Sequence, residues 1–153
     1  MAQPQSTALA TEVAQARYRL IRRLTSDKLA AVNDNEIRKE VARVLDKLPK
    51  QFRKYLSNVE IVVEDRPGRE LLLEEGLDPH ADTLYGLYQG VPLPDRSAFY
   101  PPILPDKITI FSEPLLRDFP DPADRVEQIR LTVLHEIAHY FGMDEDDIDK
   151  LGY

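Results

Sequence analysis

The chain has no cysteine, so disulfides and thiolate metal sites are excluded. That absence fits a reducing compartment. No apolar run approaches the roughly 20 residues that a membrane-spanning helix needs. The N-terminus lacks the apolar segment and cleavage pattern of a secreted protein, so the expected location is the cytoplasm. Methionine is scarce, with Met1 and Met143 the only two. Histidine is nearly as scarce. There are three, His80, His135 and His139, and the last two stand four positions apart. His80 is a conceivable ligand, but beside Pro79 in a loop it reads as exposed.

What is present is concentrated in Thr132-Val133-Leu134-His135-Glu136-Ile137-Ala138-His139-Tyr140-Phe141-Gly142. This stretch contains H-E-x-x-H. On a helix, positions four apart share one face, so His135 and His139 can aim two imidazoles at one ion. Glu136 sits one step round. It can reach a water on that ion, take its proton and pass it to a leaving amine. Val126, Ile129, Val133 and Ile137 form one apolar stripe, and Leu131, Leu134, Ala138 and Phe141 a second. Between them runs a polar strip of Gln128, Thr132, His135 and His139. A helix apolar on two flanks is largely buried. Its polar strip must then face solvent, a cleft or an ion, because unpaired buried polar groups are costly.

A hydrolytic zinc site takes three protein ligands and leaves one position for water. Two histidines leave one ligand to find. Gly142 allows a left-handed helix end that turns the chain back across the same face. What returns is Met143-Asp144-Glu145-Asp146-Asp147. Glu145 stands ten positions after His135, the spacing of H-E-x-x-H-x-x-G-x-x-ligand sites, with Asp144 as the alternative. Asp146, Asp147 and Asp149 read as a solvated helix cap.

Four stretches carry a resemblance: Leu56 to Pro67, Tyr85 to Leu93, Leu104 to Phe111, and His135 to Tyr153. Through them the chain resembles the small bacterial zincin-like metallopeptidase family, a single-domain group. The likeness spans residues from Asp34 onward and leaves the first thirty or so outside it. It implies a minimal zincin, an α+β domain with the active-site helix packed on a small mixed sheet. It also implies a third ligand that is usually aspartate; Glu145 departs from that by one methylene and keeps the charge. Larger relatives of this spacing place a methionine turn under the metal. No methionine here can do so, and Tyr153 is expected to pack there instead.

The rest of the chain divides by charge. Residues 1–58 carry twelve Lys/Arg against six Asp/Glu, and residues 59–153 carry eight against twenty-one. No nucleic-acid motif accompanies the basic part, so it reads as solvated or docked on the acidic remainder. Residues 1–32 read as a tail and an amphipathic helix (Leu9, Val13, Ala16, Leu20, Leu24), and residues 33–153 as the metallopeptidase domain. Asn33 and Glu36 stand at capping-box spacing for the next helix, whose buried face is Ile37, Val41, Val44, Leu45 and Leu48. Val59, Ile61 and Val63 alternate as a strand, and further strands are expected over Thr83 to Gln89 and Lys107 to Phe111. The proline-rich connection between the last two is long enough to be functional or mobile. Tyr85, Arg96 and Tyr100 are open candidates for polarising a carbonyl. Asp121-Pro122 opens the active-site helix.

The expected function is peptide-bond hydrolysis with one zinc ion held by His135, His139 and Glu145, and Glu136 as general base. Two histidines and a carboxylate also match the facial triad of non-haem iron enzymes, though that chemistry has no use for a glutamate after the first histidine. The alternative is a metal-binding but weakly active or inactive domain serving as a partner-binding or regulatory module. A nucleic-acid or membrane adaptor built on the basic N-terminal helix is a more distant reading. The expected partner is a peptide or protein substrate, with no clear nucleic acid and no transmembrane segment. A homodimer stays open.

Overall fold

The structure is a computed structural model that describes residues 33–96 and 105–153. The expected amphipathic helix before residue 33 lies outside the described residues, as does Tyr100 in the proline-rich connection. Residues Glu36–Tyr153 form one compact unit.

Helix α1 covers residues 33–47. Asn33 is already helical and is not the cap that its spacing to Glu36 suggested. Ile37 and Val41 are buried one turn apart, with Val44, Leu45 and Leu48 packed against the same core. Pro49 has no N–H to give a continuing helix, and the chain restarts there as α2 (Lys50–Arg53) and a 3-10 turn (Lys54–Asn58). Strand β1 (Val59–Glu64), α3 (Arg69–Glu74), β2 (Gly86–Gln89) and a 3-10 turn (Leu93–Asp95) follow. Next come β3 (Asp106–Phe111), α4 (Ser112–Asp118), α5 (Pro122–Tyr140) and α6 (Glu145–Leu151). Among the described residues, no helix is long and apolar enough to cross a membrane.

The sheet has three strands in the order β1-β3-β2, with β1 parallel and β2 antiparallel to β3. The fold is therefore a small α+β domain with a mixed sheet. β3 is central, and Ile108, Ile110 and Phe111 on it are buried. Helix α5 lies against β2 and β3, placing Ile129, Val133 and Ile137 in one cluster with Ile108 and Ile110. Its N-terminus is set by Asp121, whose carboxylate accepts from the Ala123 and Asp124 amides at 2.8 and 3.2 Å, and by Pro122 in the first turn.

Two further expectations need correction. The second strand does not reach Thr83: its ladder begins at Gly86. The reason lies in its partner. Phe111, the last residue of β3, donates to the Tyr85 carbonyl at 2.9 Å, and α4 begins at Ser112, so among the described residues β2 has nothing further to pair with. Val126 is not part of the buried stripe either, being 43% exposed. It sits in the second turn of α5, on a surface groove shared with Glu40, Val44 and Leu134.

Candidate metal centre

The last turns of α5 carry His135, Glu136 and His139, and the helix ends two residues before Gly142. The Met143 amide donates to the Ala138 carbonyl at 3.1 Å and the Gly142 amide to the His139 carbonyl at 2.9 Å. This double closure needs a left-handed residue, and Gly142 supplies it at φ 85°. A side chain at that position would also meet Pro94 Cγ at 2.7 Å. The chain then reverses into α6, whose first residue is Glu145.

The reversal brings three donor atoms together. His135 Nε2 and His139 Nε2 are 3.0 Å apart, and Glu145 carboxylate oxygens lie 3.1 Å from His139 Nε2 and 3.5 Å from His135 Nε2. Two ligands about 2.05 Å from a tetrahedral ion stand about 3.3 Å from each other, so the spacing fits zinc. The donor chemistry fits too. His139 Nδ1 is 3.3 Å from the Met143 carbonyl, which can only accept, so Nδ1 carries the proton and Nε2 the lone pair. A lone pair on His139 Nε2 and a carboxylate facing one point repel unless a cation or a proton stands between them. Among the described residues, this is the one cluster of three such side chains.

Asp144 is not part of it. Its side chain caps α6, accepting from the Asp147 amide at 2.9 Å. His80 also lies elsewhere, 3.1 Å from an Arg69 guanidinium nitrogen on the surface.

Glu136 is 7% exposed and faces strand β2. Its Oε2 accepts from the Tyr88 amide at 2.8 Å. Burial pushes its carboxyl above the usual carboxylate range, with the nearby His135 and His139 rings and the Tyr88 N–H pulling the other way. No sequence pattern singles out Tyr88 for this role, because the contact is made by its backbone. Beside Glu136 opens a cleft of about 270 Å³, with Tyr85, Gly86, Leu131, Thr132, His135 and Tyr153 among its walls. Tyr153, expected beneath the metal, lines this cleft, and the Arg130 guanidinium is 6.0 Å from its ring.

The two other polar candidates are occupied. The Tyr85 hydroxyl donates to Asp118 at 3.0 Å, and burial together with that carboxylate raises its pKa. Arg96 pairs with Asp106 and donates from Nε to the Val91 carbonyl at 2.9 Å.

β2 approaches α5 so closely that only glycine fits at position 86. An added Cβ would lie 2.7 Å from Thr132 Cγ2 and 3.0 Å from Glu136 Cγ. Gly86→Ala is expected to cost about 1–3 kcal/mol of stability, the usual penalty of overpacking, measured by urea denaturation of the metal-free protein.

No curated protein matches this chain. A family model described as zincin-like metallopeptidase matches residues 56–153, which is well over half of the sequence and includes every residue of the cluster. With that match, the chain belongs to the zincin-like metallopeptidase family.

Proposed function

We propose that this chain hydrolyses peptide bonds with one zinc ion held by His135, His139 and Glu145, and with Glu136 as general base. The observation that carries the reading is the convergence of those three side chains beside a buried carboxylate that is not one of them. A bound zinc supplies Lewis acidity, which lowers the pKa of a water and polarises the scissile carbonyl. Glu136 takes a proton from the attacking water as its oxygen bonds to the carbonyl carbon. It returns that proton to the amine nitrogen when the C–N bond breaks. Its Oε2 is held by the Tyr88 amide, which leaves Oε1 to carry the proton.

The substrate backbone lies along β2. That strand is at the sheet edge, whereas β3 is paired on both sides. In an antiparallel pair, residues alternate between exchanging both backbone bonds and exchanging none. Tyr85 accepts from Phe111, so Gly86 and Tyr88 turn their backbone groups away from β3. The Gly86 carbonyl offers an extended peptide a backbone acceptor beside the cluster. A side chain next to the scissile bond then enters the cleft against Leu131, Tyr85 and Tyr153.

A mixed peptide library digested by the full chain tests this. Cleavage is expected with zinc present, to be lost on chelation, and to return when zinc is restored. A protein that holds zinc and cleaves no peptide under any of these conditions would instead be the metal-binding module.

A further inference from the structure

Beyond the cluster stands a second buried carboxylate, at the other end of β2. Asp106 opens β3 and is 5% exposed. A buried carboxylate is costly unless paired and hydrogen-bonded. Asp106 has both kinds of partner: Arg96 pairs with its Oδ2, and the Tyr88 hydroxyl donates to the same oxygen at 3.1 Å. The Arg96 guanidinium also lies 5.3 Å from the centre of the Tyr140 ring, on the last turn of α5. The Tyr88 ring meets Tyr140 edge to face at 6.0 Å. Tyr140 is itself fixed, its hydroxyl donating to the Tyr55 carbonyl at 2.6 Å. The phenol of Tyr88 is thus gripped by the first residue of β3 and the last turn of α5.

The backbone of the same residue holds Glu136. A four-residue edge strand is weakly restrained by its ladder alone. We infer that Asp106, Arg96 and the Tyr88 side chain are positioning residues, which fix β2 at Tyr88 and through its amide set the orientation of Glu136. None of them touches the reacting atoms. The catalytic consequence rests on Glu136 being the base, but the positioning itself does not.

The test separates these two. In ¹⁵N-labelled full-length protein, amide hydrogen exchange is followed at residues 87 and 88 in wild type, Tyr88→Phe and Asp106→Asn. The Leu87 amide, whose partner on β3 is Thr109, reports general loosening of the sheet. Exchange at residue 88 is expected to quicken about tenfold in both variants, the fold-change of one ordinary hydrogen bond, with Leu87 little changed. In peptide cleavage, kcat is expected to fall by a similar factor with zinc content unchanged. Unchanged exchange at residue 88 in folded Tyr88→Phe overturns the inference. So does an equal acceleration at Leu87, or quickened exchange with kcat intact. If Asp106→Asn fails to fold, Tyr88→Phe decides alone. If wild type cleaves no peptide, the hydrolase reading fails and the exchange data still judge the positioning.

Discussion

Glu136→Gln is expected to lower kcat by about 10²–10⁴-fold, the usual worth of a positioned general base, while zinc content stays at the wild-type level. The side chain keeps its shape, and its amide oxygen can still accept from the Tyr88 N–H. Only the capacity to take a proton is lost. Because Glu136 lies outside the convergent donor set, metal binding has no reason to change. Peptide cleavage and metal analysis on the same preparation check both halves. Stability should move the other way. Burial raises the Glu136 carboxyl above its ordinary range, so the metal-free folded state binds this proton more tightly than the unfolded chain does. That contribution is fully present at low pH and is lost as pH rises through the raised value. Glutamine has no such dependence. Metal-free Glu136→Gln is therefore expected to gain stability over wild type as pH climbs from the ordinary carboxylate range towards neutrality, with a plateau above it. Denaturation midpoints across that range provide the check, and a stability difference that did not grow in favour of the variant as pH rose would contradict it.

The helix that carries the site was legible because each of its signals is local. Asp121-Pro122 marks its start, the H-E-x-x-H spacing its functional face, and Gly142 its end. The third member of the cluster was legible at one remove, since a left-handed end at Gly142 has to send the following residues back. Strand β1 was equally readable from the alternation of Val59, Ile61 and Val63. Local pattern fails where distant chain decides. Thr83 and Leu84 are strand-like, yet among the described residues no strand pairs with them once β3 turns into α4. Val126 matches the apolar period of α5, yet it lies exposed in a surface groove with Val44 and Leu134. Arg96 and Tyr85 had the right chemistry to polarise a carbonyl, and each is held by a carboxylate far away in sequence, Asp106 and Asp118. The grip on Glu136 was invisible for a different reason, since any residue except proline at position 88 would supply the same amide.

Glu145→Ala and Asp144→Ala should separate two neighbouring carboxylates, Glu145 favoured by its spacing from His135 and Asp144 its alternative. Glu145 has an exposed side chain, 68% accessible, yet its oxygens lie within 3.1 and 3.5 Å of the two imidazoles. Removing it leaves two ligands, and zinc affinity is expected to fall by at least about 10²-fold, beyond what loss of a ligand's supporting contact costs. The effect shows directly in stability. Zinc at a hundred times the wild-type Kd stabilises the fold by about 2.7 kcal/mol, and a hundredfold weaker site gains only about 0.4 kcal/mol from the same concentration. Asp144→Ala removes a helix cap instead. It is expected to cost about 1 kcal/mol with or without zinc, leaving the zinc-induced shift near its wild-type size. The two variants therefore differ in kind, one lowering the metal-linked stability and the other the baseline. Thermal unfolding of each with and without zinc distinguishes them. If Asp144→Ala erased the zinc-induced shift while Glu145→Ala kept it, the ligand would be Asp144. Its side chain, which caps α6 through the Asp147 amide, would then have to turn towards the two imidazoles on metal binding.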